Sequence, residues 1–185
     1  DEGLSVPRPD DPGDRPTALH RWDRYLIRDD NGNTVLRRHQ VVLGLSYTGT
    51  APPTDGERDR VRGALGTLDR AFQWGVGDGA DTGVSTGLLW LFGYSTNYFE
   101  RVGAAVPDRI TTPESLASAV NEDPAKADGF DAVLVLTGDL GSVPLAAEAA
   151  LWGERDTLNG VEPAATLDGV FERTARRTGV TGKGI

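Results

Sequence analysis

The chain has no cysteine, no methionine, two histidines (His20 and His39) and two lysines (Lys126 and Lys183) among its 185 residues. Each scarcity closes something off. Without Cys there is no disulfide, no thiolate metal site and no thioether-anchored cofactor, although the redox compartment stays open. Without Met, even at position 1, a chain opening Asp1-Glu2-Gly3 reads as trimmed. We therefore expect a secreted or extracellular protein that has lost a signal segment. With two histidines, a Ser-His-Asp set would have to use His20 or His39, and no Gly-x-Ser-x-Gly elbow accompanies them. No apolar run approaches the ~20 residues of a membrane span. Basic residues are outnumbered, 19 against 28, for a net charge of −9 and a pI near 4.7. Such a surface repels phosphate backbones and anionic lipid, so neither nucleic acid nor membrane is an expected partner.

What is present reads as one domain with tails. Residues 1–16 are rich in Asp, Pro and Gly and are expected to be a flexible N-terminal arm. The body is expected over residues 17–178, and residues 179–185 as a tail. Asp29-Asp30-Asn31-Gly32-Asn33 is a turn signal between two β-prone pieces, Tyr25–Ile27 and Thr34–Leu36, and predicts a hairpin held to the body by Trp22 and Tyr25. His39–Tyr47, HQVVLGLSY, predicts a strand. Thr54 or Asp55 then caps a helix over Glu57–Trp74, whose apolar residues Val61, Ala64, Leu65, Leu68, Ala71 and Phe72 fall on one stripe.

Gly87–Phe92 is almost wholly apolar and predicts a strand covered on both faces. Gly93 ends it. Ser95 or Thr96 caps a short helix that Gly103 stops. Thr112 and Pro113 open a helical turn to Val120. Asp131–Thr137 is a third buried strand, and Ser142 caps a helix through Trp152. Leu167–Thr178 carries Val170 and Phe171 among many charges and is expected to be an edge strand. The order is β-α-β-β-α-β after an early hairpin. It predicts an α+β, ferredoxin-like sheet with its helices on one face, plus the arm and hairpin.

Several local patterns bear on chemistry. Gly75-x-Gly77-x-x-Ala80 is a loose dinucleotide fingerprint, but a helix precedes it and a strand follows, the reverse of what that motif needs. Gly182-Lys183-Gly184 lacks the remainder of a phosphate loop. Thr137–Ser142 runs from a strand into a helix start and could receive an anion, which Asp139 opposes. Arg173, Arg176 and Arg177 form a basic cluster that would discourage strand pairing, or meet an acidic partner. The Asp10–Asp14 and Asp29–Asn33 clusters read as solvated turns rather than Ca²⁺ loops.

The segments Gly87–Gly103, GLLWLFGYSTNYFERVG, and Gly129–Asp139, GFDAVLVLTGD, with the Leu116 stretch between them, resemble dye-decolourising (DyP-type) haem peroxidases. The likeness is to an exported, uncharacterised branch and covers roughly His39 to Leu151. It implies a protein of two ferredoxin-like halves with this chain as the first. It places the haem, its His ligand and the distal Arg in the second half. The partner implied is that second half or a fragment carrying it. It also implies a distal Gly-x-x-Asp-Gly whose Asp moves the peroxide proton. Gly75-Val76-Gly77-Asp78-Gly79 spells that pattern, making Asp78 the candidate catalytic residue. Here the pattern stands before the second strand, whereas the family has it after the first half. The alternative is a non-catalytic ferredoxin-like module that assembles into a homo-oligomer or an extracellular structure.

Overall fold

A computed structural model describes residues 27–28, 31, 34–35, 37–72, 87–108, 110–123 and 128–181. Two short strands, β1 (Ile27–Arg28) and β2 (Thr34–Val35), pair antiparallel, with Ile27 opposite Val35, and form the expected hairpin. The body follows as β3 (His39–Tyr47), α1 (Asp55–Ala71), β4 (Leu89–Tyr94), α2 (Thr96–Arg101), α3 (Pro113–Ala119), β5 (Ala132–Gly138), α4 (Ser142–Leu151) and β6 (Phe171–Val180).

The sheet order is β4-β5-β3-β6, with every neighbouring pair antiparallel. Counting the body's strands along the chain, that is 2-3-1-4, the ferredoxin-like arrangement. Each helical crossover returns the chain to a strand parallel to the one it left, with one strand between them. The hydrophobic pattern explains why the sheet has a covered side. On β3, Val41, Leu43, Leu45 and Tyr47 are buried, and on β5 Ala132, Leu134 and Leu136 are buried. Alternation sends all of these to one face. There they join Val61, Ala64 and Leu68 of α1 and Val143, Ala147 and Ala150 of α4 in one core.

The long helix begins where predicted. The Thr54 hydroxyl accepts from the Glu57 N–H at 3.2 Å, and the Glu57 carboxylate accepts from the Thr54 N–H at 2.7 Å, a reciprocal capping box. It ends at Ala71 rather than Trp74, because Phe72 turns extended. The α3 turn is also capped as expected, Thr112 accepting from the Ser115 N–H at 3.1 Å.

Four expectations are corrected. The apolar strand runs Leu89–Tyr94, so Gly93 lies within it, and it is an edge strand rather than one covered on both faces. Leu91 and Tyr94 are exposed at 43% and 38%. Ser95 stands at the start of α2 but does not cap it; its hydroxyl donates to the carbonyls of Phe130 and Asp131, fastening α2 to the entry of β5. Ser142 is the first residue of α4, and Gly141 occupies the cap position. The last strand is an edge as expected, but it continues to Val180, into the stretch expected to be tail.

Candidate functional site: a bare sheet face and an aromatic cleft

The side of the sheet away from α1 and α4 is apolar along its middle rows and polar toward its ends, where Gln40, Ser46 and Glu172 lie; on that side Leu89 and Thr137 are buried and Leu91 is exposed. Register places Leu91, Val135 and Val42 directly across from one another on the side away from α1 and α4, ending at Arg177 on β6. The adjacent row holds Gly93, Val133, Gly44 and Ala175. Val42, Val133 and Val135 are half-buried. Phe130 lies over Gly44, where a Cβ would sit 2.5 Å from its ring. A one-sided antiparallel sheet ordinarily turns polar residues to water. Here the middle rows of the outward face are apolar, rimmed by Arg177, whose guanidinium donates to Asp128 at 3.0 Å.

On the helix side, the end of β4 faces the first turns of α1 across an open cleft. Tyr94, Tyr98 and Tyr47 gather there with Phe171. The Tyr94 and Tyr98 rings lie 4.4 Å apart at a 32° tilt, and Tyr47 meets Tyr98 edge-on at 5.4 Å. Phe171 touches Tyr47, Phe92, Tyr94 and Tyr98. These rings floor a cleft of about 280 Å³ whose opposite wall is the first turns of α1, carrying Glu57, Arg58 and Arg62.

The electrostatics of that wall are uneven. Glu57 accepts from the N–H and hydroxyl of both Thr50 and Thr54 at 2.7–2.8 Å. Those bonds, led by the Thr54 N–H, hold its carboxyl down at about 2. Tyr47 donates to the Thr50 carbonyl at 2.8 Å. Burial, with the Glu57 charge adding, pushes its phenol up to about 12. Burial likewise pushes Tyr94 up to about 12 and raises Tyr98. The hydroxyls of Tyr94 and Tyr98 make no hydrogen bond among the described residues.

Three buried ionic groups tie the elements together. Asp131 is fully buried; its Oδ2 accepts from the Tyr47 N–H at 2.7 Å and meets Arg101 Nε at 2.9 Å, joining β5, β3 and α2. Asp139 accepts from Arg37 at 2.8 Å, with both side chains under a tenth exposed. Burial lowers the Arg37 pKa, and the Asp139 charge and hydrogen bond oppose that shift. Glu148 of α4 is clamped by Arg176 through bonds of 2.9–3.0 Å and by Arg173 at 3.2 Å. Arg173 also lies 4.8 Å over the Trp152 ring.

These contacts decide several candidates. The basic cluster on β6 is consumed within the fold: Arg173 and Arg176 hold Glu148, and Arg177 holds Asp128. The turn after β5 receives Arg37 on Asp139 rather than a foreign anion. His39 lies against Gly141 on the helix side, apart from the cleft. Asp78, His20, Trp22, Tyr25, the Asp10–Asp14 run and Lys183 fall outside the described residues. The aromatic cleft was not anticipated. Its rings come from three distant segments, and only the Tyr94-to-Phe99 spacing hinted at it.

Haem does not fit these described residues. The His39 imidazole ring is packed on Gly141, 3.2–3.4 Å from where that residue's Cβ would stand. Tyr47, an oxygen donor of the kind some haem proteins use, is committed to Thr50. A cleft of about 280 Å³ is smaller than the roughly 300–1,000 Å³ of drug-sized sites and too small for a tetrapyrrole.

Residues 37–185 match a family whose description is "Family of unknown function (DUF7405)". The chain belongs to that family. Among solved structures, the DUF7405 chain is similar to the crystal structure of the Anabaena sp. DyP-type peroxidase AnaPX, at 14% identity and a TM-score of 0.48. The match covers 80% of this chain and 33% of the peroxidase, so the DUF7405 chain spans about a third of that protein's length. No curated protein matches the chain by sequence.

Proposed function

We infer that this chain is the first ferredoxin-like half of a DyP-type-peroxidase-like haem protein. In this reading it presents its bare sheet face to a second ferredoxin-like half, which holds the haem. The observation that carries the inference is the apolar row Leu91–Val135–Val42, which among the described residues lies on the side of the sheet away from α1 and α4, with Leu91 43% exposed. Contiguous apolar surface on a soluble domain marks an interface. The two peroxidase-like segments, Gly87–Gly103 and Gly129–Asp139, supply β4 and β5, which carry that row between them. Peroxide-dependent oxidation then belongs to the complete protein, and Asp78 stays its candidate proton-moving group in this chain. A non-catalytic module that assembles into a homo-oligomer draws on the same row, with a second copy as the occupant.

Purification of the protein as produced by its own host, followed by intact-mass analysis and an absorption spectrum, tests the reading. The expected result is a second ferredoxin-like unit, in the same polypeptide or as a co-purifying fragment, and a Soret band near about 400 nm that follows that unit. A colourless homo-oligomer would transfer the face to the assembly module. A colourless monomer would overturn both.

A further inference from the structure

We propose that the cleft between α1 and the Tyr94–Tyr98 pair is a binding site for a small aromatic carboxylate, one ring wide. Its floor is aromatic, which favours a flat ring over a bulky aliphatic ligand. Its polar capacity is that of a donor. Among the described residues Glu57 is the one carboxylate on the wall, and it already accepts four hydrogen bonds from Thr50 and Thr54, three of them on Oε2, so little of its capacity is left to a cationic ligand. The donors facing a ligand among the described residues are the hydroxyls of Tyr94 and Tyr98 and the guanidiniums of Arg62 and Arg58, the last of which also donates through Nη2 to the Pro53 carbonyl at 2.5 Å. Both arginines pair with carboxylates three residues back on the same helix, Asp55 and Asp59, at exposed positions. Exposed pairs of that kind are weak and exchange readily for a better partner. A guanidinium binds a carboxylate in a fork of two parallel bonds, which a single-ring acid can accept while its ring rests on the tyrosines. Phenols are protonated at neutral pH, and burial raises both of these further, so Tyr94 and Tyr98 can donate there.

The cleft lies on the helix side of the sheet, opposite the row Leu91–Val135–Val42. The proposal therefore stands or falls separately from pairing with a second half.

Calorimetric titration of the full chain with benzoate tests it, with benzylamine and cyclohexanecarboxylate as comparators. Expected is saturable benzoate binding on the order of 1 mM or tighter, weaker binding of cyclohexanecarboxylate, and none of benzylamine. Arg58→Gln with Arg62→Gln, both exposed and so expected to leave the fold intact, should weaken benzoate at least about tenfold. Tyr98→Phe keeps the ring and removes one donor, and should cost about twofold to tenfold. Benzylamine binding as tightly as benzoate, a double variant with unchanged affinity, or no benzoate saturation overturns the proposal.

Discussion

Asp131 ties three elements, β5, β3 and α2, through a single carboxylate oxygen. It is the last residue before β5, a place where sequence suggests only a boundary, yet it is wholly buried and serves both the Tyr47 N–H and Arg101. Replacing it with Ala leaves a buried donor unmet, and urea unfolding should show a loss of about 1–3 kcal/mol. Nothing local marks its role, because both partners are distant in the chain. The Arg37–Asp139 pair, 102 residues apart, was hidden for the same reason. Glu57 is the opposite case. The Thr-x-x-Glu spacing declared its capping partner, though not the further bonds from Thr50. Its carboxyl is held at about 2 against an ordinary 4.5. A depressed carboxylate contributes stability that is complete above pH 4.5 and is lost as pH falls toward 2. Acid titration followed by NMR should therefore show the first turn of α1 loosening across that window, and Glu57→Gln should remove this pH dependence. The tyrosines work in the other direction. Tyr47 and Tyr94, held protonated to about 12, stabilise the fold below pH 10, and that contribution fades as pH rises through 12. Phenolate absorbance should show them ionising after the ordinary tyrosines.

The helices and strands were mostly readable from periodicity, and the failures share one physical origin. A run such as Leu89–Phe92 is apolar at every position, so alternation cannot say which faces are covered. Trp90 and Phe92 do turn to the helix side, where Leu136 and Leu134 stand opposite them. Leu91 turns to the bare side, and its apolar character imitates that of a central strand. Helix starts were more readable, because capping is local chemistry. Thr54→Ala removes half of the capping box on α1 and should cost about 1 kcal/mol, measured as a shift in the denaturation midpoint. Ser95 and Ser142 show the limit of that logic. Each stands at a helix start with the right residue type, but neither caps: the Ser95 hydroxyl is taken by the carbonyls before β5, and Gly141 fills the position Ser142 was expected to hold.

For the molecule entire, the order of elements determined the topology, and the 4-1-3-2 sheet is what the β-α-β-β-α-β series leads one to expect. The candidate surfaces were less legible, since each is composed of residues from separate strands that meet only after folding. The bare face offers the clearest test at this level. Leu91→Lys adds a charge at an exposed position, so the isolated chain should keep its stability within about 0.5 kcal/mol. Association with a second half, or with another copy, should be lost, as read by light scattering or co-purification. Loss of stability in the isolated chain would mean that the face is covered from within.

The body's first and last strands lie side by side for their full lengths, with His39 opposite Val180 at one end and Tyr47 opposite Phe171 at the other. Tension applied through positions 39 and 180 would therefore peel this seam one rung at a time instead of shearing all its rungs together. The protein should yield mechanically at low force, giving way first where β6 leaves the sheet and last at the aromatic cluster around Phe171.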